Sequence, residues 1–308
     1  MTVPQIFWAA GHEAGTRRPD TANPSAVRPH VKTSFLVLCL ALAPLAARAD
    51  DKPVAPHARP VAPASAVPAA QRPVEIHDRL APGTPPSAAP HVALTLDACM
   101  GRFDAPLIEF LIRNKVPATI FATRRWLRHN PRGVAVLKAH LDLFDIEDHG
   151  ANHIPAVIGK GRTVYGIPGE PDVAHLRREV VDGAQAVKDH IGIAPRWYRD
   201  ATAEYDAQSI AEINKLGYGI AGFSLNADEG ATLPKARIEA RLKRATDGDV
   251  IIAHMNKPQS DTAKGLSAGI QYLLSKGFVF VRVDQSALRP VVPPAPSPRR
   301  PPKLRRPA

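Results

Sequence analysis

The fold of this chain is constrained most by a regular alternation of short apolar runs and amphipathic segments between residues 91 and 283. The first apolar run is HVALTLD at 91–97, and the last is FVFVRV at 278–283. Repeated strand-then-helix units place their strands side by side in parallel, so this order predicts an α/β fold with a parallel sheet. About seven such units, with polar groups directly after several strands, favour a (β/α) barrel, closed or distorted, over an open sheet.

Proline-rich segments flank the alternating block on both sides. Residues 50–90 are rich in proline and alanine, residues 287–308 are rich in proline and basic residues, and both segments are poor in large apolar side chains. Segments of this composition bury too little apolar area to offset the entropy lost on ordering, so both are predicted to be disordered. One folded domain is therefore expected at 91–286, between a linker at 50–90 and a basic tail at 287–308.

The first 49 residues have the layout of a secretory signal peptide. Arg28 and Lys32 precede an apolar run at 34–46 that is too short for a stable membrane span, and Ala-Arg-Ala at 47–49 resembles a cleavage signal. These features predict cleavage after Ala49, an exported protein that is periplasmic or secreted, and no transmembrane helix after processing. Signals normally begin near the initiator methionine, so the long segment before Arg28 indicates a true start further along the chain.

The net charge of +11 is concentrated outside the predicted domain. From Arg289 onward the chain carries six Lys or Arg residues and no acid. The domain itself is close to neutral and has no basic stripe, so no nucleic-acid partner is expected. The cationic tail could adhere to anionic envelope polymers or lipid surfaces, or serve only as a solubilising terminus.

Titratable side chains follow several of the predicted strands. His149 and His153 are spaced i and i+4, and on one helical turn this spacing lets two imidazoles hold one divalent ion. The other strand ends carry Asp97, Arg199, Asp228 and His254. The carboxyl ends of barrel strands converge on one face, so these residues predict the site of a metal-assisted hydrolase.

The order and spacing of these motifs resemble the polysaccharide deacetylase family that shares the NodB homology domain, carbohydrate esterase family 4. The T-F-D-D motif of that family is matched by TLDA at 95–98, its N-H-T-x-x-H motif by DHGANH at 148–153, and its final L-H motif by VIIAH at 250–254. Two further motifs are matched loosely by YRDAT at 198–202 and NADE at 226–229. The resemblance covers about residues 88–286. It implies a hydrolase that removes N-acetyl groups from an N-acetylhexosamine polysaccharide and releases acetate.

The resemblance also implies a role for each catalytic side chain. Asp97 would accept a proton from the attacking water, and Arg199 would keep that carboxylate ionised by its opposite charge. His254, with Asp228 as its carboxylate partner, would protonate the departing nitrogen. The implied ligands of zinc, cobalt or a similar ion are His149 and His153.

The sequence departs from the family at Ala98, where the family carries the aspartate that completes an Asp-His-His metal site. Three alternatives follow from this change. Asp97 could itself be the third metal ligand, with Asp200 acting as the base; Asp148 or a nearby glutamate could supply the missing oxygen; or the protein could be an inactive glycan-binding envelope scaffold. Because the third and fourth motifs are altered, hydrolysis of a non-glycan carbon–nitrogen bond is also open.

Cys99 would be the sole cysteine left after removal of a signal peptide that contains Cys39. The exported protein is therefore expected to have no intrachain disulfide. A small apolar thiol beside a buried strand is expected to pack in the core rather than to line the site.

Overall fold

A computed structural model describes residues 72–83, 88–285 and 287–291. The signal-peptide prediction, most of the linker and most of the basic tail lie outside these residues. The strands are β1 (Val74–Glu75), β2 (Asp78–Leu80), β3 (His91–Ala98), β4 (Ala118–Ala122), β5 (Phe144–Asp148), β6 (Thr163–Val164), β7 (Ile167–Pro168), β8 (Trp197–Tyr198), β9 (Glu204–Tyr205), β10 (Gly219–Ile220), β11 (Leu225–Asn226), β12 (Val250–His254), β13 (Val279–Val281) and β14 (Leu288–Pro290). The helices are α1 (Ala105–Arg113), α2 (Arg124–His129), α3 (Pro131–Lys138), α4 (Val173–Ile191), α5 (Ala207–Lys215), α6 (Lys235–Leu242) and α7 (Thr262–Ser275).

The central sheet is parallel and curled. Its strands follow the order β10-β8-β5-β4-β3-β12-β11, and β13 pairs with the beginning of β3. The two end strands, β10 and β11, are separated in sequence only by residues 221–224. That connection spans at most about 18 Å, whereas the edges of seven flat strands lie about 29 Å apart. The sheet therefore has to curl into a half-barrel, which confirms the predicted distorted (β/α) barrel.

β3 has buried side chains on both of its faces. Val92, Leu94, Leu96 and Ala98 belong to the core between the sheet and the helices. Ala93 belongs to a smaller core inside the curled sheet. Side chains alternate between the two faces of a strand, so Thr95 and Asp97 lie on the inner face with Ala93.

β12 repeats this pattern beside β3. Ile251 and Ala253 pack in the outer core, and Val250 and Ile252 pack in the inner one. The next inward position along the strand is His254. Because inward and outward side chains alternate along β3 and β12, the polar side chains lie at the end of the half-barrel and both cores remain continuous.

Aspartate side chains begin several of the helices that cover the sheet. The carboxylates of Asp104, Asp172 and Asp206 accept hydrogen bonds from the backbone N–H groups of the first turns of α1, α4 and α5. Within the part of the chain that the structure describes, no helix combines the length and the apolar character needed to cross a membrane.

Ordered strands extend beyond both predicted boundaries of the domain. β2 lies in the predicted linker at 50–90 and pairs antiparallel with β14 in the predicted tail at 287–308. The prediction of disorder is therefore wrong for these two strands and for β1, which pairs with β9. The physical reason is burial, because Leu80 is only 3% exposed and packs in the inner core with Leu288 against it.

The segment between β1 and β2 also seals the gap between the two ends of the sheet. The N–H of Asp78 donates to the carbonyl of Phe223 at 3.2 Å, and the N–H of Phe223 donates to the carbonyl of Ile76 at 3.3 Å. The carboxylate of Asp78 accepts from the N–H of Gly222 at 2.8 Å. Residues before the predicted domain thus complete the wall of the half-barrel.

Candidate active site

The site residues predicted from sequence lie at the carboxyl ends of the parallel strands. Asp97 in β3 and His254 in β12 are register partners on neighbouring strands. His149 directly follows β5, and Arg199 directly follows β8. Asp228 follows β11 by two residues. Five separate parts of the sequence thereby contribute to one end of the sheet.

Arg199 is fully buried and holds Asp97 in place. Its Nη1 donates to Oδ1 of Asp97 at 2.9 Å and to Oγ1 of Thr95 at 2.8 Å. Its Nε and Nη2 donate to the carbonyls of Ala221 and Gly222, each at 3.0 Å. Because four acceptors surround the guanidinium, its orientation is set by the barrel wall and one oxygen of Asp97 is committed to it.

The environment of Asp97 favours its ionised form. Burial by itself would raise the pKa of this carboxyl, but the charges of Arg199, His149 and His254 outweigh burial and hold the pKa below its ordinary value. The second oxygen, Oδ2, lies 3.9 Å from Nε2 of His149. Asp97 is thus an ionised carboxylate that faces the histidine pair.

His149 and His153 converge through a loop and not through a helical turn. The prediction of one helical turn is wrong, because Gly150 and His153 adopt left-handed backbone angles, with φ of 80° and 67°. The two imidazole rings nevertheless lie 5.0 Å apart between centroids. Nδ1 of His149 donates to the carbonyl of Arg199 at 2.7 Å, so its Nε2 is directed into the site.

Glu179 of α4, which the sequence analysis missed, holds this histidine loop. Its Oε1 accepts from the backbone N–H groups of Asn152 at 2.7 Å and Ile154 at 3.3 Å, and its Oε2 accepts from Nδ2 of Asn152 at 3.0 Å. A Cβ at Gly150 would lie only 2.6 Å from Oε1 of Glu179. Gly150 was the available signal, since a glycine inside the histidine motif indicates a loop that approaches another element closely.

The predicted pair of His254 and Asp228 is present. Oδ1 of Asp228 lies 2.9 Å from Nδ1 of His254, and Oδ2 accepts from Oγ1 of Thr262 at 3.0 Å and from the backbone N–H of His254 at 2.9 Å. Burial would lower the pKa of His254, but its bonds to Asp228 and Cys99 raise that pKa well above the ordinary value. His254 is therefore a protonated imidazole beside the inner face of β3.

Cys99 lines the site, so the prediction that it packs only in the core is wrong. Its Sγ lies 3.4 Å from Nε2 of His149. Cys99, His149 and His153 each offer one ligand atom, and these atoms lie within 4.8 Å of one another. The period-two alternation of β3 was the missed signal, because residues 95, 97 and 99 share one face when the strand direction continues.

A cleft with a volume of about 340 Å³ is lined by part of this site. Asp97, His254 and Phe223 line this cleft. Tyr165, in the turn between β6 and β7, stands at the rim with 75% of its surface exposed. An open cleft with aromatic side chains beside titratable groups can accept a chain-like polar substrate.

The family assignment follows from a match that spans most of this site. Residues 84–221 match the polysaccharide deacetylase family. This part of the chain is a polysaccharide deacetylase domain. The matched range contains Asp97, both histidines of the loop and Arg199, and the half-barrel continues beyond it through β12.

Known proteins resemble the deacetylase domain at low sequence identity. A bifunctional xylanase/deacetylase of Pseudobutyrivibrio xylanivorans is 22% identical over 194 residues, which cover 63% of this chain and 30% of that protein. The chain therefore spans about a third of the length of this curated relative.

Solved structures share the fold. The peptidoglycan N-acetylglucosamine deacetylase Bc1960 is 19% identical, with a TM-score of 0.54 over 65% of this chain and 89% of its own. BA3943 of Bacillus anthracis, a pseudoenzyme of carbohydrate esterase family 4, is 18% identical, with a TM-score of 0.52 over 65% of this chain and 66% of its own.

Asp200 and Asp148 were the named candidates to compensate for the aspartate that Ala98 replaces, and each of them accepts hydrogen bonds from the backbone. Asp200 accepts from the backbone N–H groups of Ala156 at 2.7 Å and Thr202 at 3.0 Å, one at each carboxylate oxygen. Burial raises the pKa of Asp200 to about 6 despite these bonds. Asp148 accepts from the N–H of Gly150 at 2.8 Å through Oδ1, and its Oδ2 is buried without a hydrogen-bond partner among the described residues. The group of clustered ligand atoms contains Cys99 and neither of these aspartates, and Asp97 as a metal ligand stays a prediction.

Proposed function

We propose that this protein is a metal-dependent hydrolase that removes N-acetyl groups from an N-acetylhexosamine polysaccharide and releases acetate. The observation that carries the proposal is the pairing of an ionised Asp97 and a protonated His254, which are register partners on neighbouring strands and both line the cleft. A base and an acid in opposite protonation states are what amide hydrolysis requires.

The donor set at the histidine loop supports a bound divalent ion. Nε2 of His153 is buried and has no hydrogen-bond partner among the described residues. A buried imidazole nitrogen without a partner is costly, and coordination of a metal would satisfy it. His149 and His153 would hold zinc, cobalt or a similar ion through their Nε2 atoms.

Each side chain has one task in the proposed reaction. A bound divalent ion would supply Lewis-acid polarisation of the acetyl carbonyl and a lowered pKa for an adjacent water. Asp97 accepts the proton of the attacking water as the new carbon–oxygen bond forms. His254 gives its proton to the nitrogen as the carbon–nitrogen bond breaks, and Asp228 stabilises the charged imidazole before that transfer. Arg199 keeps Asp97 ionised until it takes up that proton.

Release of acetate from defined substrates tests this proposal. The full chain, stripped of metal and resupplied with zinc or cobalt, is incubated with N-acetylated oligosaccharides and with peptidoglycan. We expect acetate from at least one glycan, and loss of that activity in His149→Ala. The matched control is His175→Ala, because His175 is half-exposed at the start of α4 and distant in sequence from the site loops.

The alternative of an inactive glycan-binding scaffold has one specific observation in its favour. The chain has Ala98 where the family carries a metal-binding aspartate, and the resemblance to BA3943 is a resemblance to a pseudoenzyme. Glycan binding with no acetate under any ion would favour the scaffold. Activity on a simple amide and none on any glycan would favour hydrolysis of a non-glycan carbon–nitrogen bond.

We further propose that the protein is exported and acts in the periplasm or outside the cell. The support is the order of basic residues, apolar run and Ala-Arg-Ala at 28–49. Sequencing the amino terminus of the mature protein tests it, with Asp50 as the expected first residue. Recovery of an uncleaved protein from the cytoplasm would contradict this proposal.

A further inference from the structure

We propose that Cys99 is the third protein ligand of the metal, so that the site is Cys-His-His where the family has Asp-His-His. This inference rests on the metal-dependent function proposed above and names the group that replaces the missing aspartate. Thiolate and imidazole ligands suit zinc and cobalt, whereas magnesium and calcium prefer oxygen. The site is therefore expected to discriminate against the two hard ions.

The distance between the sulfur and the first histidine fits a shared tetrahedral ion. Zinc bonds of about 2.3 Å to sulfur and 2.05 Å to nitrogen, at a tetrahedral angle, place the two ligand atoms about 3.6 Å apart. Sγ of Cys99 and Nε2 of His149 lie 3.4 Å apart. His153 contributes the third atom of a group within 4.8 Å, so these three side chains need little movement to close around one ion.

The fold holds Cys99 in this position from two sides. Ala98 lies in the outer core with no exposed surface, so the next residue along the strand turns to the inner face. Oγ1 of Thr123 donates to the carbonyl of Cys99, and that hydroxyl also caps α2 by accepting from the N–H of Trp126 at 3.0 Å. The end of β3 is thereby tied to the start of α2, and the thiol is presented by rigid elements.

Asp97 competes less well for the same coordination position. Oδ2 of Asp97 is 3.9 Å from Nε2 of His149, but Asp97 is not part of the group whose ligand atoms all lie within 4.8 Å of one another. Its other oxygen is held by Arg199 at 2.9 Å. With Cys99 as the ligand, Asp97 is free to act as the base, and the two roles do not fall on one carboxylate.

Cobalt spectroscopy tests the ligand directly, without reference to activity. Cys39→Ser is introduced into the full chain throughout, so that Cys99 is the remaining thiol of the two cysteines. Metal-free protein is titrated with cobalt(II), and a thiolate-to-cobalt charge-transfer band in the near ultraviolet is recorded. We expect the band in the parent and in Asp97→Asn, and its loss in Cys99→Ser with at least tenfold weaker cobalt binding.

A second measurement covers the case in which Cys99→Ser fails to fold. The alkylation rate of Cys99 is measured in the parent with and without zinc, and zinc should slow the reaction at least tenfold. Cobalt binding without the charge-transfer band would overturn the cysteine ligand and leave the histidine site standing. The absence of any cobalt binding would overturn both. A full band without acetate release from any glycan would support the ligand and contradict the proposed hydrolase.

Discussion

Asp97 and His254 lie side by side as register partners on the neighbouring parallel strands β3 and β12. Each is tied to its own buried partner, Asp97 to Arg199 at 2.9 Å and His254 to Asp228 at 2.9 Å. Because the two ion pairs arise from different strands, each can be altered while the other stays intact. The proposed base and the proposed acid can therefore be tested by separate substitutions.

Replacing Asp97 with asparagine should remove the base and leave the metal ligands in place. The amide keeps the shape of the side chain but cannot accept the proton of water, so we expect kcat for acetate release to fall by about 10²–10⁴. Cobalt affinity should stay within about threefold of the parent, measured by titration. A variant that loses both activity and metal would show that Asp97 is itself a ligand.

Replacing Asp228 with asparagine should move the alkaline limb of the activity profile. Asp228 raises the pKa of His254, so the imidazole stays protonated well above its ordinary pKa and can act as an acid at neutral pH. Without the carboxylate, the pKa of His254 falls, and activity should decline at lower pH as the proton is lost. The pH dependence of kcat in the variant and in the parent checks this. An unchanged alkaline limb would contradict His254 as the proton donor.

Replacing Glu179 with glutamine should loosen the histidine loop without touching the substrate cleft. The carboxylate accepts two backbone N–H bonds and one side-chain N–H bond from that loop. Loss of these charge-assisted bonds should weaken metal binding by about 10–100-fold, as substitution of groups that orient metal ligands does. Asp189→Asn, on the same helix and hydrogen-bonded at the surface to Gln185, is the matched control with little expected effect. Equal metal affinities in the two variants would refute the positioning role.

Glu170 should make the folded protein less stable as pH rises. Burial, followed by the charge of Glu179, raises the pKa of Glu170 to about 7 from 4.5. Between these two values the folded state binds more protons than the unfolded state, so the free energy of unfolding falls with increasing pH. Glu170→Gln removes the charge. The free energy of unfolding of the variant, relative to that of the parent, should be higher at pH 8 than at pH 5 by on the order of 1 kcal/mol.

Denaturant unfolding at the two pH values measures this difference. Glu109→Gln is the control, since Glu109 lies on α1 with 65% of its side chain exposed. A gain of the same size in both variants would point to general charge repulsion and not to the burial of Glu170.

The fold class and the convergence of the candidate site residues at one end of the sheet could be predicted because they depend on local patterns. Alternating apolar runs predict strands and helices, and parallel strand ends share one edge, so Asp97, Arg199 and His254 could be placed together from sequence alone. The partnership of Asp228 with His254 followed from the same reasoning and is seen in the structure.

The shape of the histidine loop could not be predicted in this way. The spacing of His149 and His153 is compatible with a helical turn, and the sequence contains no local signal for Glu179, which lies more than twenty residues away on α4. The loop conformation depends on hydrogen bonds to that distant carboxylate and on the close approach that Gly150 permits.

Local sequence patterns determined the barrel, the strand ends and the presence of most titratable groups at those ends. Strand periodicity and helix amphipathicity are properties of neighbouring residues, so they can be recognised in the sequence. Only the tertiary structure shows that β1 pairs with β9, that β2 pairs with β14, and that Cys99 lies against His149. Those outcomes depend on which side of a strand meets which distant element. Leu80 is buried, and Cys99 contacts His149, only when segments far apart in sequence pack together as the half-barrel forms. The pattern of neighbouring residues does not determine such contacts.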